Sequence, residues 1–354
     1  MQAAEAAAYN TLVNDATATV TFNWMIDKRL LMHIDARGDG NCGYHSILMG
    51  IIECDRVNKS GLWNKLFLGK HMDKTITFNS LDNLPIYARE INPLKISDDL
   101  WVDMHRRSTN SEVDMKYEDR GRFEFKLDTV NEFRAKMLVL VQDTTYNKSP
   151  AGPIQPDPVI ERNRSGSKDE IESDELILIS NYLNICIVSC MSDLPKFKRY
   201  DTSIVRPTNE FGESVDLKDC SGIIYLYHTG GHSGTGHYKF FKATNNNLYN
   251  VYCINALYDY FTQKVIDHNV VELIDKAAKA WVSSTKITPR AKSTNRKKAN
   301  KNYDNLMAKF NQGVKDIEVF RIIDGQPAGA AAPQAQPAQS PPQPAPAPPA
   351  AAPA

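Results

Sequence analysis

The segment RGDGNCGYHSILMGII, residues 37–52, constrains the fold more than any other part of this sequence. Two glycines within three residues predict a tight loop, because glycine adopts backbone angles that other residues avoid. The apolar run that follows predicts a buried helix over residues 43–52. Cys42 therefore stands at a helix N-terminus, where unpaired amides favour a reactive thiolate. A buried helix cysteine behind an ordinary turn is the alternative interpretation.

Composition limits the classes of partner. The chain has 354 residues, 42% of them apolar, which is enough for a large core. Its 42 basic and 42 acidic residues cancel, so no overall charge directs it to nucleic acid or to an anionic membrane. The N-terminus lacks the pattern of a signal peptide, and no apolar run is long enough for a membrane span.

Six cysteines are too few for a disulfide scaffold in a chain of this length. The sequence therefore predicts free thiols in a reducing, intracellular compartment: the cytoplasm, the nucleus, or a host cell if the protein comes from a pathogen or virus. Cys186, Cys190 and Cys253 are interpreted as small core residues on strands. Cys54 and Cys220 receive no assignment.

The chain divides into four predicted parts: an N-terminal segment, 1–29; a folded body, 30–268, with insertions within 100–170; a helical appendage, 269–325; and a disordered Ala/Pro/Gln-rich tail, 326–354. The appendage contains a basic stretch, 286–301, which is either a solvated linker or a patch for nuclear import or nucleic acid.

Helices and strands alternate irregularly along the folded body. Helices are predicted over 130–141 and 175–183, the second with Ser173 and Asp174 as N-cap candidates. Residues 146–167 have the composition of a surface loop. Strands are predicted over 185–190, 221–229, 237–243 and 248–254. This order is typical of an α+β fold.

A cysteine nucleophile needs a base, and histidine is the usual one. His237 is the preferred candidate because it follows the glycine-rich turn GGHSGTG and opens a predicted strand. His45 lies one helical turn from Cys42 and is assigned a packing or surface role. A zinc site built from Cys220, His228, His232 and His237 is a minor alternative.

Three segments resemble one enzyme family. Asp39-Gly40-Asn41-Cys42, followed by Tyr44, resembles the nucleophile motif of the OTU (ovarian tumour) cysteine proteases, which are deubiquitinases. SDELILISNYLNICIVSC is similar to the family's helix and central strand, and IIYLYHTGGHSGTGHYKFF to its histidine strand. The three segments follow the family's order within residues 30–242.

The resemblance implies a papain-like α+β fold in which a helix-borne cysteine faces a histidine on a sheet. Cys42 would be the nucleophile and His237 the general base. Asp39 would belong to the catalytic group by shaping the loop, and Gly40 and Asn41 would form the oxyanion loop. The resemblance implies neither a cofactor nor a metal.

One position departs from the family pattern. Many members carry Asp or Asn two residues after the histidine, where this chain has Lys239, which cannot accept a hydrogen bond. The third catalytic residue is therefore open. Candidates are Asp35, Asp39, Asn250 and the asparagines at 245–247; a Cys-His dyad is a further alternative.

The resemblance implies hydrolysis of the bond after the C-terminal glycine of ubiquitin or a ubiquitin-like modifier, with ubiquitin or polyubiquitin as partner. A catalytically weak ubiquitin-binding module is the first alternative, because of Lys239. A papain-type peptidase is less favoured, since Ala36 stands where its oxyanion glutamine is expected. A nucleic-acid-binding protein acting through 286–301 is the last alternative, and nucleic acid is not the expected partner.

Overall fold

The computed structural model describes residues 2–68, 77–79, 122–192, 201–229, 236–271 and 301. These residues form an α+β fold, as the sequence predicts. Its helices are α1 (Gln2–Asp27), α2 (Cys42–Asn58), α3 (Leu62–Phe67), α4 (Leu127–Leu140), α5 (Pro156–Asn163), α6 (Ser173–Leu183) and α7 (Val251–Asp267). Its strands are β1 (Leu31–Asp35), β2 (Thr77–Asn79), β3 (Arg122–Glu124), β4 (Ile185–Ser192), β5 (Asp201–Val205), β6 (Gly222–Thr229) and β7 (His237–Ala243).

Five strands form the central sheet, in the order β1-β7-β6-β4-β5. The β4 and β6 strands run parallel, and the other neighbouring pairs are antiparallel. Strands β2 and β3 form a separate two-stranded ribbon, and Ala36 bridges to Phe123 at its edge. In the β1–β7 pair, Asp35 lies opposite Lys239.

Helix α2 covers one face of this sheet. Its buried side chains include Ile47 and Ile51, which share a core with Ile224 and Phe240 of the strands. A strand turns alternate side chains to opposite faces, so residues 224, 226 and 240 point to the α2 side. Helices α4 and α6 add Phe133 and other residues to the same core.

Helices α1 and α7 cover the other face. Val20, Phe22 and Trp24 of α1 are buried in a second core with Tyr225 and Phe261. The Trp24 and Phe261 rings lie 5.4 Å apart, between centroids. The N-terminal segment is therefore packed into the described fold.

The sequence predicts a strand over 248–254, and this prediction is wrong. Residues Asn246–Tyr249 form a short 3-10 helix, and α7 follows directly. The Asn245 and Asn250 side chains accept hydrogen bonds from the amides of Asn247 and Tyr252, at 2.8 and 2.9 Å. Such asparagine caps favour helix starts over strand continuation. Cys253 therefore lies on a helix, not on a strand as predicted.

The predicted loop 146–167 also differs from the structure, because α5 occupies part of it.

The prediction of six free thiols is also wrong, because Cys186 and Cys220 form a disulfide. Parallel pairing of β4 with β6 places Ile185 opposite Gly222, and so brings these two cysteines together. Cys42, Cys54, Cys190 and Cys253 are free. Cys190 is buried in the core, as expected.

Several predicted segments lie outside the described residues. They are 80–121, 272–300 and 302–354, which include residues 100–121 of the predicted insertion region, residues 286–300 of the basic stretch and the Ala/Pro/Gln-rich tail. Within the described part of the chain, no helix combines the length and apolar character that crossing a membrane requires.

Replacing Trp24 tests whether α1 belongs to the fold. We expect Trp24→Ala to lower the free energy of unfolding by about 3–5 kcal/mol, because it leaves a cavity against Phe261. Leu12→Ala on the same helix is the control, since Leu12 is exposed and its loss should cost within about 0.5 kcal/mol. Urea denaturation measures both variants, and equal stability of the two would contradict the packing of α1.

Candidate active site

Cys42 is the first residue of α2 and is buried, with 2% of its surface exposed. Its Sγ accepts a hydrogen bond from the Tyr238 amide at 3.4 Å. The Cys42 side chain also lies near enough to His237 to help raise the pKa of that imidazole. The first amides of a helix have no intrahelical acceptor, and Cys42 stands at that end of α2.

The loop before Cys42 is held in one conformation by its own residues. Gly40 has φ +84°, and a β-carbon there would overlap the Lys168 main chain, so only glycine fits. Asp39 Oδ1 accepts a hydrogen bond from the Asn41 amide at 2.9 Å and lies 3.5 Å from His45 Nε2. Burial raises the pKa of Asp39, but His45 and the Asn41 amide outweigh it and bring the pKa to about 2.

Arg134 of α4 hydrogen-bonds to this loop, a role that the sequence analysis did not predict. It is buried, and its Nε and Nη2 donate to Asn41 Oδ1 at 3.1 and 2.9 Å. The same guanidinium donates to the carbonyl oxygens of Arg162 and Asp169, at 2.7 and 2.8 Å, and lies 4.2 Å from the Tyr44 ring centroid. A planar group with five donors can join these segments at once.

Asp35 is the carboxylate that binds the histidine. Its Oδ1 lies 2.6 Å from His237 Nε2. The two residues are 202 positions apart and meet because β1 pairs with β7, with Asp35 opposite Lys239 and thus diagonal to His237. Residues 237 and 239 point to one face of β7, which is also the face of Asp35.

The electrostatics of this pair favour an imidazolium. Burial lowers the pKa of His237, but the hydrogen bonds and charges of Asp35 and Cys42 outweigh burial and raise it to about 9. Burial raises the pKa of Asp35, yet His237, Lys239 and Arg122 together hold it below its ordinary value. At neutral pH the ring is therefore protonated and the carboxylate ionised.

The other candidates for the third residue lie elsewhere. Asn250 caps α7, and Asn245 caps the short helix before it. Asp39 contacts His45, not His237, and supports the Cys42 loop. His45 is buried in the helix, and its Nδ1 accepts from the Phe125 amide at 3.1 Å, in keeping with the predicted packing role.

The zinc alternative does not fit the described residues. Cys220 precedes β6 and is bonded to Cys186, whereas His228 lies near the far end of that strand. Eight residues of strand separate the two by roughly 25 Å. No group of three or more His, Cys, Asp or Glu side chains suited to a metal occurs among the described residues, which exclude His232.

A groove of about 800 Å³ lies beside His237. Gly236 and Tyr238 line it from the histidine strand, and Ile171 lines it next to Gly43 of α2. The charged lining residues are Glu161, Arg162, Lys168, Asp169, Glu170 and Glu172. Arg162 is bound to the buried Glu175, with Nε to Oε1 at 2.8 Å, so the groove is acidic in net character.

Two titratable groups in the groove have shifted pKa values. Burial, assisted by Glu172, raises the pKa of Glu170, although His237 acts in the opposite direction. Burial and the charge of His237 lower the pKa of His228, whose ring stacks on Tyr238 with centroids 4.3 Å apart. His228 Nε2 lies 3.9 Å from Glu170 Oε2. Both groups thus lie close to the catalytic candidates.

No protein-family model matches the chain, and no curated protein matches it either.

A glycine pair tests the loop. We expect Gly40→Ala to lower the free energy of unfolding by roughly 1–3 kcal/mol more than Gly61→Ala, because only Gly40 faces a main-chain obstacle. Both glycines precede helices and have positive φ, so both variants carry similar backbone strain. Chemical denaturation measures the difference, and equal losses would contradict the contact between Gly40 and the Lys168 carbonyl.

Replacing Asp35 tests the histidine pair. In Asp35→Asn the pKa of His237 should fall from about 9, because burial then acts without the carboxylate. The pKa of His237 is higher in the folded chain than its ordinary 6.5, so protonation of His237 stabilises the fold at low pH. This stabilisation is lost as the pH rises through about 9.

Ring NMR signals of His237, followed across pH, measure this shift. Asp39→Asn is the control and should leave the pKa of His237 in place, since Asp39 contacts His45 instead. A larger shift in Asp39→Asn than in Asp35→Asn would assign the orienting role to Asp39.

Proposed function

We propose that the chain is a cysteine hydrolase that cleaves amide or isopeptide bonds through an acyl-enzyme on Cys42. One observation carries the proposal: a helix and two strands bring Cys42, His237 and Asp35 together, with Asp35 Oδ1 2.6 Å from His237 Nε2 and Cys42 near enough to help raise the pKa of His237. A nucleophile, a base and a group that orients the base are the three parts that such catalysis needs. The OTU resemblance of the segments that carry Cys42 and His237 supports the same conclusion.

The proposed chemistry begins with the thiolate of Cys42 and the imidazolium of His237. The sulfur attacks the scissile carbonyl carbon, and the carbonyl electron pair moves onto oxygen. Amides of the Cys42 loop and the α2 N-terminus would stabilise this oxyanion. The Asn41 amide is bound to Asp39, so its main-chain donor is committed to shaping the loop.

Collapse of the tetrahedral intermediate breaks the carbon–nitrogen bond, and His237 gives its proton to the leaving amine. Neutral His237 then takes a proton from water, and the resulting hydroxide attacks the thioester carbonyl. The carboxylic acid leaves, and the thiolate–imidazolium pair is restored. Asp35 holds the ring in one tautomer through both steps.

The proposed substrate is ubiquitin or a ubiquitin-like modifier, as the OTU resemblance implies. The open, acidic groove beside His237 supports an extended peptide tail as the ligand. The main-chain amides and basic side chains of such a tail could bind the carboxylates that line the groove. A papain-like arrangement, with a helix-borne cysteine facing a strand-borne histidine, belongs to the same proposal.

A catalytically weak ubiquitin-binding module is the second candidate. It rests on Lys239, which removes the expected acceptor from the histidine strand. The 2.6 Å contact between Asp35 and His237 supplies an acceptor from β1 and therefore favours the enzyme. No observation on the described residues favours the nucleic-acid alternative, whose segment lies outside them except for its last residue, 301.

A ubiquitin probe with a C-terminal electrophile tests the function. We expect the wild-type chain to gain the mass of one ubiquitin and Cys42→Ala to gain none. His237→Ala should slow labelling by roughly 100-fold or more, because the thiolate loses its partner. Mass spectrometry of the intact protein measures each reaction.

Cys253→Ala is the matched control, since Cys253 is a free, partly exposed thiol on the opposite side of the sheet. It should label like wild type. Ubiquitin binding without labelling would favour the binding module, and labelling that survives Cys42→Ala would contradict the assigned nucleophile.

A further inference from the structure

The Asp35 carboxylate has a second oxygen, and two cations approach it. Oδ1 contacts His237, whereas Oδ2 lies 3.8 Å from Lys239 Nζ and 3.8 Å from Arg122 Nε. The Asp35 side chain is 2% exposed, and those of Lys239 and Arg122 are each 14% exposed. The cations therefore act where water screens them weakly.

We propose that Lys239 and Arg122 are positioning residues, which hold Oδ2 of Asp35 so that Oδ1 stays on His237 and the carboxylate remains ionised in mildly acidic solution. The inference rests on the proposed function, because it describes how the third catalytic residue is kept in place. Lys239, which breaks the family pattern, thus acts on the carboxylate that replaces the missing acceptor.

Burial alone would act against an ionised Asp35. A carboxylate removed from water takes up a proton more readily, and only nearby cations or hydrogen-bond donors reverse this. His237 supplies one donor, and Lys239 and Arg122 supply the charge on the other oxygen. A protonated Asp35 would lose most of its attraction for the imidazolium, and the ring would be held less firmly.

The remaining charged neighbours do not replace these two cations. On β1 itself, His33 faces the same side as Asp35 and packs against Tyr227 and Phe241. On β3, Glu124 pairs with Arg37.

Around the His237 ring, the titratable groups are Asp35, Cys42 of α2, Glu170 of the loop before α6, and His228 of β6. Of these, Cys42 and Glu170 add no positive charge, and burial keeps His228 from protonating readily.

The same strand offers a matched control. Lys242 Nζ lies 3.8 Å from Glu53 Oε2, and the distance from Lys239 Nζ to Asp35 Oδ2 is the same. Glu53 is buried and also binds Arg56 at 2.8 Å, and residue 242 points to the other face of β7. Lys242→Met therefore removes a lysine from a buried carboxylate that does not contact His237.

Ring NMR signals of His237, identified by their loss in His237→Ala, report the protonation of Asp35 as the pH falls. In wild type the midpoint should lie below the ordinary 3.8. In Lys239→Met it should rise by roughly one pH unit, because an opposite charge within about 4 Å is lost. Lys239→Arg and Lys242→Met should keep the wild-type midpoint.

A wild-type midpoint in Lys239→Met would overturn the proposal, and so would an equal rise in Lys242→Met. If Lys239→Met fails to fold, Arg122→Gln gives the same measurement with the same expected direction. The titration needs no turnover, so it is separate from the ubiquitin probe: a raised midpoint without probe labelling supports the cation pair and contradicts the hydrolase.

Probe labelling adds a functional reading. In Lys239→Met it should fall relative to wild type at about pH 4, near the raised midpoint of Asp35, and stay within about twofold of wild type at about pH 8, because Asp35 is ionised there in both proteins. Equal losses at the two pH values would indicate a general structural role and would count against the proposal.

Discussion

The antiparallel pairing of β1 with β7 is the constraint on which the site depends. It places Asp35 opposite Lys239 and brings its carboxylate onto His237 across 202 positions of sequence. A shift of one residue in this register would turn Asp35 to the other face of the sheet and break the contact. The buried partners of both strands, Ile34 and Phe240, fix that register through the α2 core.

A second set of contacts ties the loop before Cys42 to the neighbouring helix α4. Arg134 joins the Asn41 side chain to carbonyl groups of the chain near Arg162 and Asp169, and its charge is distributed over five donors. Because the guanidinium is buried, losing any one of these acceptors leaves a donor without water to replace it. The loop and the acidic groove are consequently built from one network, and neither is expected to move alone.

The sequence predicted the elements whose signal is local and missed those that depend on distant pairing. Helix α2 was predicted from the two glycines, Cys42 and the apolar run that follows them. The glycine-rich turn predicted that a strand begins at His237. The disulfide of Cys186 with Cys220 arises only when strands are paired, and Arg134 lies on a helix whose sequence shows nothing unusual. The contact of Asp35 with His237 also needs strand pairing, so the sequence named Asp35 only as one of several candidates. The strand predicted at 248–254 failed because asparagine capping outweighed an alternating apolar pattern.

Under the proposed function, Lys239 shows that the acceptor for the histidine need not come from the histidine strand itself. On a strand, the residue two positions after the histidine and the cross-strand partner of that residue lie side by side on one face. An acceptor can therefore reach the imidazole from either strand. Here the acceptor is Asp35 on the neighbouring strand, and Lys239 brings a positive charge to the buried carboxylate. The ring of His237 therefore has one negative charge beside it, and that carboxylate has a cation behind it.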